Sequence, residues 1–117
     1  MTNKEFAGQL EKRTLNFAIN VINLSGKLPK NPEALVVKNQ LTKSGTSIGA
    51  NYREANRSRS KKDFKNKIKI SESETSETVY WLELIEALNW SEKDKIFQTK
   101  NEAKALLAIF TSISSKL

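Results

Sequence analysis

Four successive stretches of this chain carry apolar residues at steps of three and four, and none alternates apolar with polar residues as a half-buried strand would. That periodicity directs the chain towards packed helices. In the first stretch, Phe6, Leu10, Phe17, Val21, Leu24 and Leu28 follow Thr2 and Glu5, which have capping-box spacing. Gly26, with Pro29 beyond it, reads as the stop. The second opens with Asn31 as N-cap, Pro32 at the first helical position and Glu33 in the first turn, and its stripe is Ala34, Val37, Leu41, Ile48, Tyr52 and Ala55. Ser60 with Asp63 starts a third through Phe64, Ile68, Leu82, Ile85 and Leu88. Ser91 with Asp94 starts a fourth through Ile96, Ala103, Leu106, Phe110, Ile113 and Leu117.

The signals predict helices over about 3–25, 32–57, 61–89 and 92–116, in one domain spanning 1–117. Connections this short join antiparallel neighbours, so the expected fold is all-α, an antiparallel up-down-up-down four-helix bundle.

Two segments fit that scheme less easily. "SGTSIGANYREA" sets Gly45 and Gly49 inside the second helix, where each costs about 1 kcal/mol relative to Ala. If helices two and three pair about a turn near Arg59, both glycines fall opposite the region of Ser73 and Lys69, with Ser71 and Thr75 on nearby turns. A close-packed layer between those helices is the expected return. "SESETSET", residues 71–78, is either a flexible break in the third helix or a part of it that packs through small side chains.

The chain has neither Cys nor His. Disulfides, thiol nucleophiles, imidazole bases and the histidine ligands of di-iron bundles are therefore excluded. Glu72, Glu74 and Glu77 are too poorly spaced for a good Mg²⁺ site, since only Glu74 and Glu77 share a helix face well. No enzyme activity, metal or cofactor is expected. "MTNKEFAGQLEKR" has no apolar signal-peptide core, and "ALLAIFTSISS" falls far short of the roughly 20 apolar residues of a membrane span. The expectation is a soluble, cytoplasmic protein with no membrane contact.

Charge is distributed unevenly. Net charge is +7, yet residues 53–69 carry +6 and residues 70–92 carry −6. Arg53, Arg57, Arg59, Lys61, Lys62, Lys65, Lys67 and Lys69 face only Glu54 and Asp63 in that interval. Cations in the first turns of helix three and carboxylates towards its end both oppose the helix dipole, by a few tenths of a kcal/mol each. Stability alone would not select this gradient. It can serve phosphate binding, a code for subunit docking, or merely a solvated face. Tyr52 lies in core phase rather than poised to stack a base. Tyr80, Trp81 and Trp90 sit in or beside the acidic block, and Trp81 with Leu82 and Ile85 reads as core or subunit interface. Any nucleic acid would thus be held by backbone and shape.

The stretch "SGTSIGANYREANRSRSKKDFKNKIKISESETSETVYWLELIEAL" resembles the family of 23S ribosomal RNA intervening-sequence proteins, which includes accessory variability proteins of diversity-generating retroelements. The match is carried by Ser47, Ile48, Asn51 and Glu54, by Ser60, Lys61 and Phe64, by Lys69 and Ile70, and by Glu74, Glu77, Tyr80, Trp81, Leu82, Glu83 and Leu84. The resemblance implies a non-catalytic four-helix bundle assembling as a ring, commonly a homopentamer, with a basic surface. It also implies nucleic acid, or a protein such as a reverse transcriptase, as partner. In such a ring Asn51 and Glu54 would approach Glu74 and Glu77 of the same or a neighbouring bundle, a polar contact suited to fixing register.

Two functions follow as expectations. In one, Arg53, Arg57, Arg59, Lys61, Lys62, Lys65 and Lys69 bind structured RNA or DNA. In the other, the charge blocks dock subunits or a protein partner, with Ser47, Asn51, Glu54, Ser60, Phe64, Glu74, Glu77 and Trp81 as the assembly set.

Overall fold

A computed structural model describes residues 1–117, in four helices: α1 (Asn3–Ser25), α2 (Pro32–Asn56), α3 (Lys61–Ala87) and α4 (Lys93–Ser115). Each packs antiparallel on the next in an elongated bundle of 44 × 25 × 20 Å. The α1–α4 seam that closes it is the sparsest. No helix is long and apolar enough to cross a membrane.

Three of the four start signals act as the sequence indicates. Thr2 and Glu5 form a full capping box, Asn31 accepts from the Ala34 backbone N–H, and Ser60 accepts from that of Asp63. The fourth does not: α4 begins at Lys93 after Glu92, with no side-chain cap, so the Ser91–Asp94 box is not formed. At the end of α3 the stop is Asn89 in the left-handed region (φ 54°), with its N–H on the Glu86 carbonyl and the Trp90 N–H on that of Ile85. This is a Schellman closure with Asn in the position glycine usually holds. Gly26, by contrast, keeps right-handed geometry (φ −65°).

The core is the set of stripes read from the sequence. Leu10, Phe17, Val21, Leu24, Leu41, Ile48, Tyr52, Ile68, Leu82, Ile85, Ile96, Leu106 and Phe110 are buried in one cluster. Tyr52 sets its ring edge-on to Phe110, with centroids 5.5 Å apart. Of the other residues placed on these stripes, Phe64 and Ile113 are half-buried against this cluster, and three lie further out. Phe6, Leu88 and Leu117 each sit where a helix begins or ends, and each is more than 40% exposed.

The small residues of α2 work in two directions, and the expected partner of its glycines is corrected. Gly45 faces Val21 and Gly49 faces Thr14, both on α1 rather than α3. The α2–α3 layer is built instead from hydroxyls. Ser71 donates to the Ile48 carbonyl (3.0 Å), and the Thr78 and Ser44 hydroxyls meet at 2.9 Å. Ser71, Thr75 and Thr78 are buried, so "SESETSET" is continuous helix with its small residues inward and Glu72, Ser73, Ser76 and Glu77 outward.

Candidate nucleic-acid interface

The antiparallel register decides which charges meet. Thr14 lies against Gly49, Ile48 against Ser71, and Arg13 against Glu102. A plane through these contacts divides the bundle across its length. The half holding the α2–α3 turn (residues 1–13, 49–70 and 103–117) has 13 Lys/Arg against 4 Asp/Glu, a net +9. The other half has 7 against 9, a net −2. The net charge of the chain therefore belongs to one end of the molecule.

Of the eight cations between Arg53 and Lys69, two are engaged. Arg53 approaches Glu11 on α1 (3.7 Å), and Lys67 bonds to Glu54 across the α2–α3 interface (3.2 Å). Both pairs are substantially solvent-exposed, worth well under about 1 kcal/mol each. Arg57, Arg59, Lys61, Lys62, Lys65 and Lys69 make no ion pair. Arg59, Lys61, Lys62 and Lys65 border a groove of about 750 Å³ at the bundle end, beside the α3 N-terminus, and Lys116, which caps the end of α4, completes the ring of cations around it. Lys116 went unnoticed in the sequence because it is about fifty residues from the cluster. Lys69 lies further along α3, beside Glu72, Ser73, Ser76 and Tyr80.

Phe64, read as part of the assembly set, lines this basic groove and packs half-buried against the core. Ser60 is spent on the α3 cap.

Of the remaining assembly residues, Glu54 and Glu74 have partners across the α2–α3 interface, Lys67 and Lys43, whereas Glu77 borders α4 beside Leu107 and Thr111. Asn51 bonds to the Ser47 carbonyl one turn back (2.9 Å), and Glu54 takes Lys67. Within one bundle, then, Asn51 and Glu54 hydrogen-bond to these partners rather than to Glu74 and Glu77. Partial burial first, and then the nearby Glu77 carboxylate, push the Glu74 carboxyl above its ordinary pKa, with Lys43 pulling it back. Trp81, edge-on to exposed Tyr80 with centroids 5.0 Å apart, keeps its Nε1 away from solvent with no hydrogen-bond partner. Glu72, Glu74 and Glu77 do not converge into a three-ligand cation site.

One further surface was not anticipated. Leu15, Ile19 and Ile22 form a second stripe on α1, turned away from the core and about half exposed. Its spacing of four and three was present in the sequence, but the stronger core stripe of the same helix masked it.

The family model of the 23S rRNA-intervening sequence protein matches residues 9–112 of this chain. Among solved structures, the crystal structure of a protein of unknown function from Bacteroides thetaiotaomicron, assigned to the S23 ribosomal protein family, is similar. It has a TM-score of 0.82 and 35% identity, covering 89% of this chain and 96% of that one. Among curated proteins none matches. The shared four-helix architecture and a family match running nearly end to end make this chain a member of the 23S rRNA-intervening sequence protein family.

Proposed function

We propose that the protein is a non-enzymatic, cytoplasmic bundle that binds structured RNA or DNA by presenting its basic end to phosphates. The observation that carries this reading is the partition of charge, net +9 in one half of the bundle and −2 in the other. Unpaired cations around an open groove are free to replace the counterions condensed on a polyanion, and release of those counterions drives association. Backbone N–H groups at the α3 N-terminus add donors suited to phosphate oxygens. The family's description, which refers to sequences intervening in 23S rRNA, makes ribosomal RNA the first nucleic acid to try.

A second reading is a homo-oligomeric scaffold, in the ring or pentamer of the resemblance, that docks a protein such as a reverse transcriptase. It is favoured by the exposed Leu15, Ile19 and Ile22 stripe and by the polar α2–α3 edge around Glu74 and Trp81. The two readings are compatible, since the groove bordered by Arg59, Lys61, Lys62 and Lys65 includes neither Glu74 nor Trp81.

Fluorescence anisotropy against a structured RNA and a duplex DNA over a range of salt tests the first reading. Neutralising about six phosphates on duplex DNA gives log affinity falling with log salt at a slope near −5. The triple variant Arg57→Glu, Lys61→Glu, Lys62→Glu is expected to abolish binding while sedimentation stays unchanged. Binding that appears only at the lowest salt and ignores these reversals would defeat the reading. Loss of the oligomer in the triple variant would favour the scaffold instead.

A further inference from the structure

A second groove, of about 800 Å³, opens at the same end of the bundle between the start of α1 and the end of α4. Phe6, Ile109 and Ile113 give it an apolar lining, Asn3 and Ser112 supply polar groups, and it shares Lys116 with the basic groove. Its size lies within the roughly 300–1,000 Å³ of ordinary ligand sites. Phe6 is 42% exposed, and its N–H bonds to the carbonyl of Thr2, itself fixed by the capping box. The ring therefore stands on a fixed first turn of helix with part of its surface open.

An aromatic and aliphatic slot next to a ring of unpaired cations suits a ligand in which a flat, weakly polar body is joined directly to an anion. We infer that this groove receives one unpaired nucleobase, whose flanking phosphates lie across Lys116 onto Arg59, Lys61, Lys62 and Lys65. The inference rests on the nucleic-acid reading above and narrows it to strands with an unstacked base near a duplex. Charge complementarity selects the occupant. The groove adjoins the cations through Lys116, which favours an occupant carrying negative charge at that edge. Stacking on Phe6 is indifferent to base identity, whereas Asn3 and Ser112 can each donate to or accept from a base edge. A base inside a continuous stack has both faces covered, so only a bulged, terminal or single-stranded base can enter. A base that is already unstacked enters at least cost.

The test uses the full chain and two RNA hairpins that differ by one bulged 2-aminopurine. The bulged hairpin is expected to bind roughly tenfold more tightly than the fully paired one, in line with stacking of one base on an aromatic side chain. Its 2-aminopurine fluorescence should be quenched on binding. Phe6→Ala should reduce the bulged hairpin to the affinity of the paired one, and Phe6→Trp should keep both preference and quenching. Circular dichroism of both variants guards against loss of fold, and Phe6→Trp remains decisive if Phe6→Ala unfolds. Equal affinity of the wild-type chain for the two hairpins would overturn the base site and leave phosphate binding standing. Binding of neither hairpin, even at low salt, would defeat both readings. A change of oligomeric state in Phe6→Trp, without base preference in the wild type, would give the groove to a second copy. Competition by an acidic peptide but not by a free oligonucleotide would give it to a protein segment. Either result overturns the inference.

Discussion

Val21 on α1 fills the space where a side chain on Gly45 of α2 would stand. A Cβ built on Gly45 falls 2.8 Å from one Val21 methyl and 3.0 Å from the other. At Gly49, one turn on, it falls 2.9 Å from the Thr14 hydroxyl oxygen. These distances are well inside van der Waals contact, so the two backbones are as close as they are because both positions lack a Cβ.

Gly45→Ala is therefore expected to destabilise by about 1 kcal/mol or more, with overpacking outweighing the gain of about 1 kcal/mol in helix propensity. In a Val21→Ala background the same change should cost less or become favourable. Gly8→Ala, where an added Cβ meets nothing within 4 Å, should stabilise by about 0.5–1 kcal/mol. Denaturant unfolding of the four variants checks this, and equal cost of Gly45→Ala in both backgrounds would show that Val21 is not the obstacle.

The polar run in α3 should respond to mutation by face. Thr78→Val keeps the shape but removes the hydroxyl that meets Ser44, with an expected loss of about 1 kcal/mol. Ser73→Ala, on the exposed face, should change stability by less than about 0.5 kcal/mol. Similar effects at the two sites in thermal melts would contradict the layered packing.

Glu74 gives a pH signature. Its carboxyl titrates above the ordinary value in the fold, so ionising it works against the folded state. Whatever the protonated form contributes is complete below the unfolded-state value and is lost as pH rises through the folded one. Glu74→Gln should thus melt above the wild type at pH 7, and the difference should vanish near about pH 3, where both states of the wild type are protonated. A constant difference across that range would mean that charge is not the cause.

Asn89 should tolerate Gly and reject Ala. With φ at 54°, Asn89→Ala is expected to cost about 1 kcal/mol, while Asn89→Gly holds stability level or raises it. Melting temperatures of the pair decide the matter, and the order Ala above Gly would refute a left-handed stop.

Much of this fold was legible because helix periodicity and capping are local properties. Thr2, Asn31 and Ser60 each act on a backbone group three residues away, and the buried stripes follow from 3.6 residues per turn. What escaped the sequence depends on azimuth and on distance along the chain. The glycines do mark close packing, but which neighbour they face turns on rotation about the α2 axis, and on the face towards α3 the hydroxyls of Ser44, Ser71 and Thr78 stand in their place. The basic cluster was visible from Arg53 to Lys69. Lys116 and Phe6 join its neighbourhood only when α1 and α4 bring both termini of the described chain to the α2–α3 turn. Asn89 was missed because its neighbours give no glycine cue.

The uneven charge also gives the molecule an electrical direction. With positive charge gathered at one end of a body 44 Å long and a slight negative excess at the other, the protein is a dipole aligned with its own length. In the field of any polyanion such a body feels a torque as well as a pull, and it turns its basic end forward before contact. Fewer encounters are then spent on unproductive orientations, and the arrival rate rises without any change in what is finally touched. The effect has a short reach in salt, because at about 0.1 M the field decays over roughly 10 Å, a fraction of the molecule's length. Alignment then happens only in the last moments of approach, so salt should slow arrival more than it hastens departure.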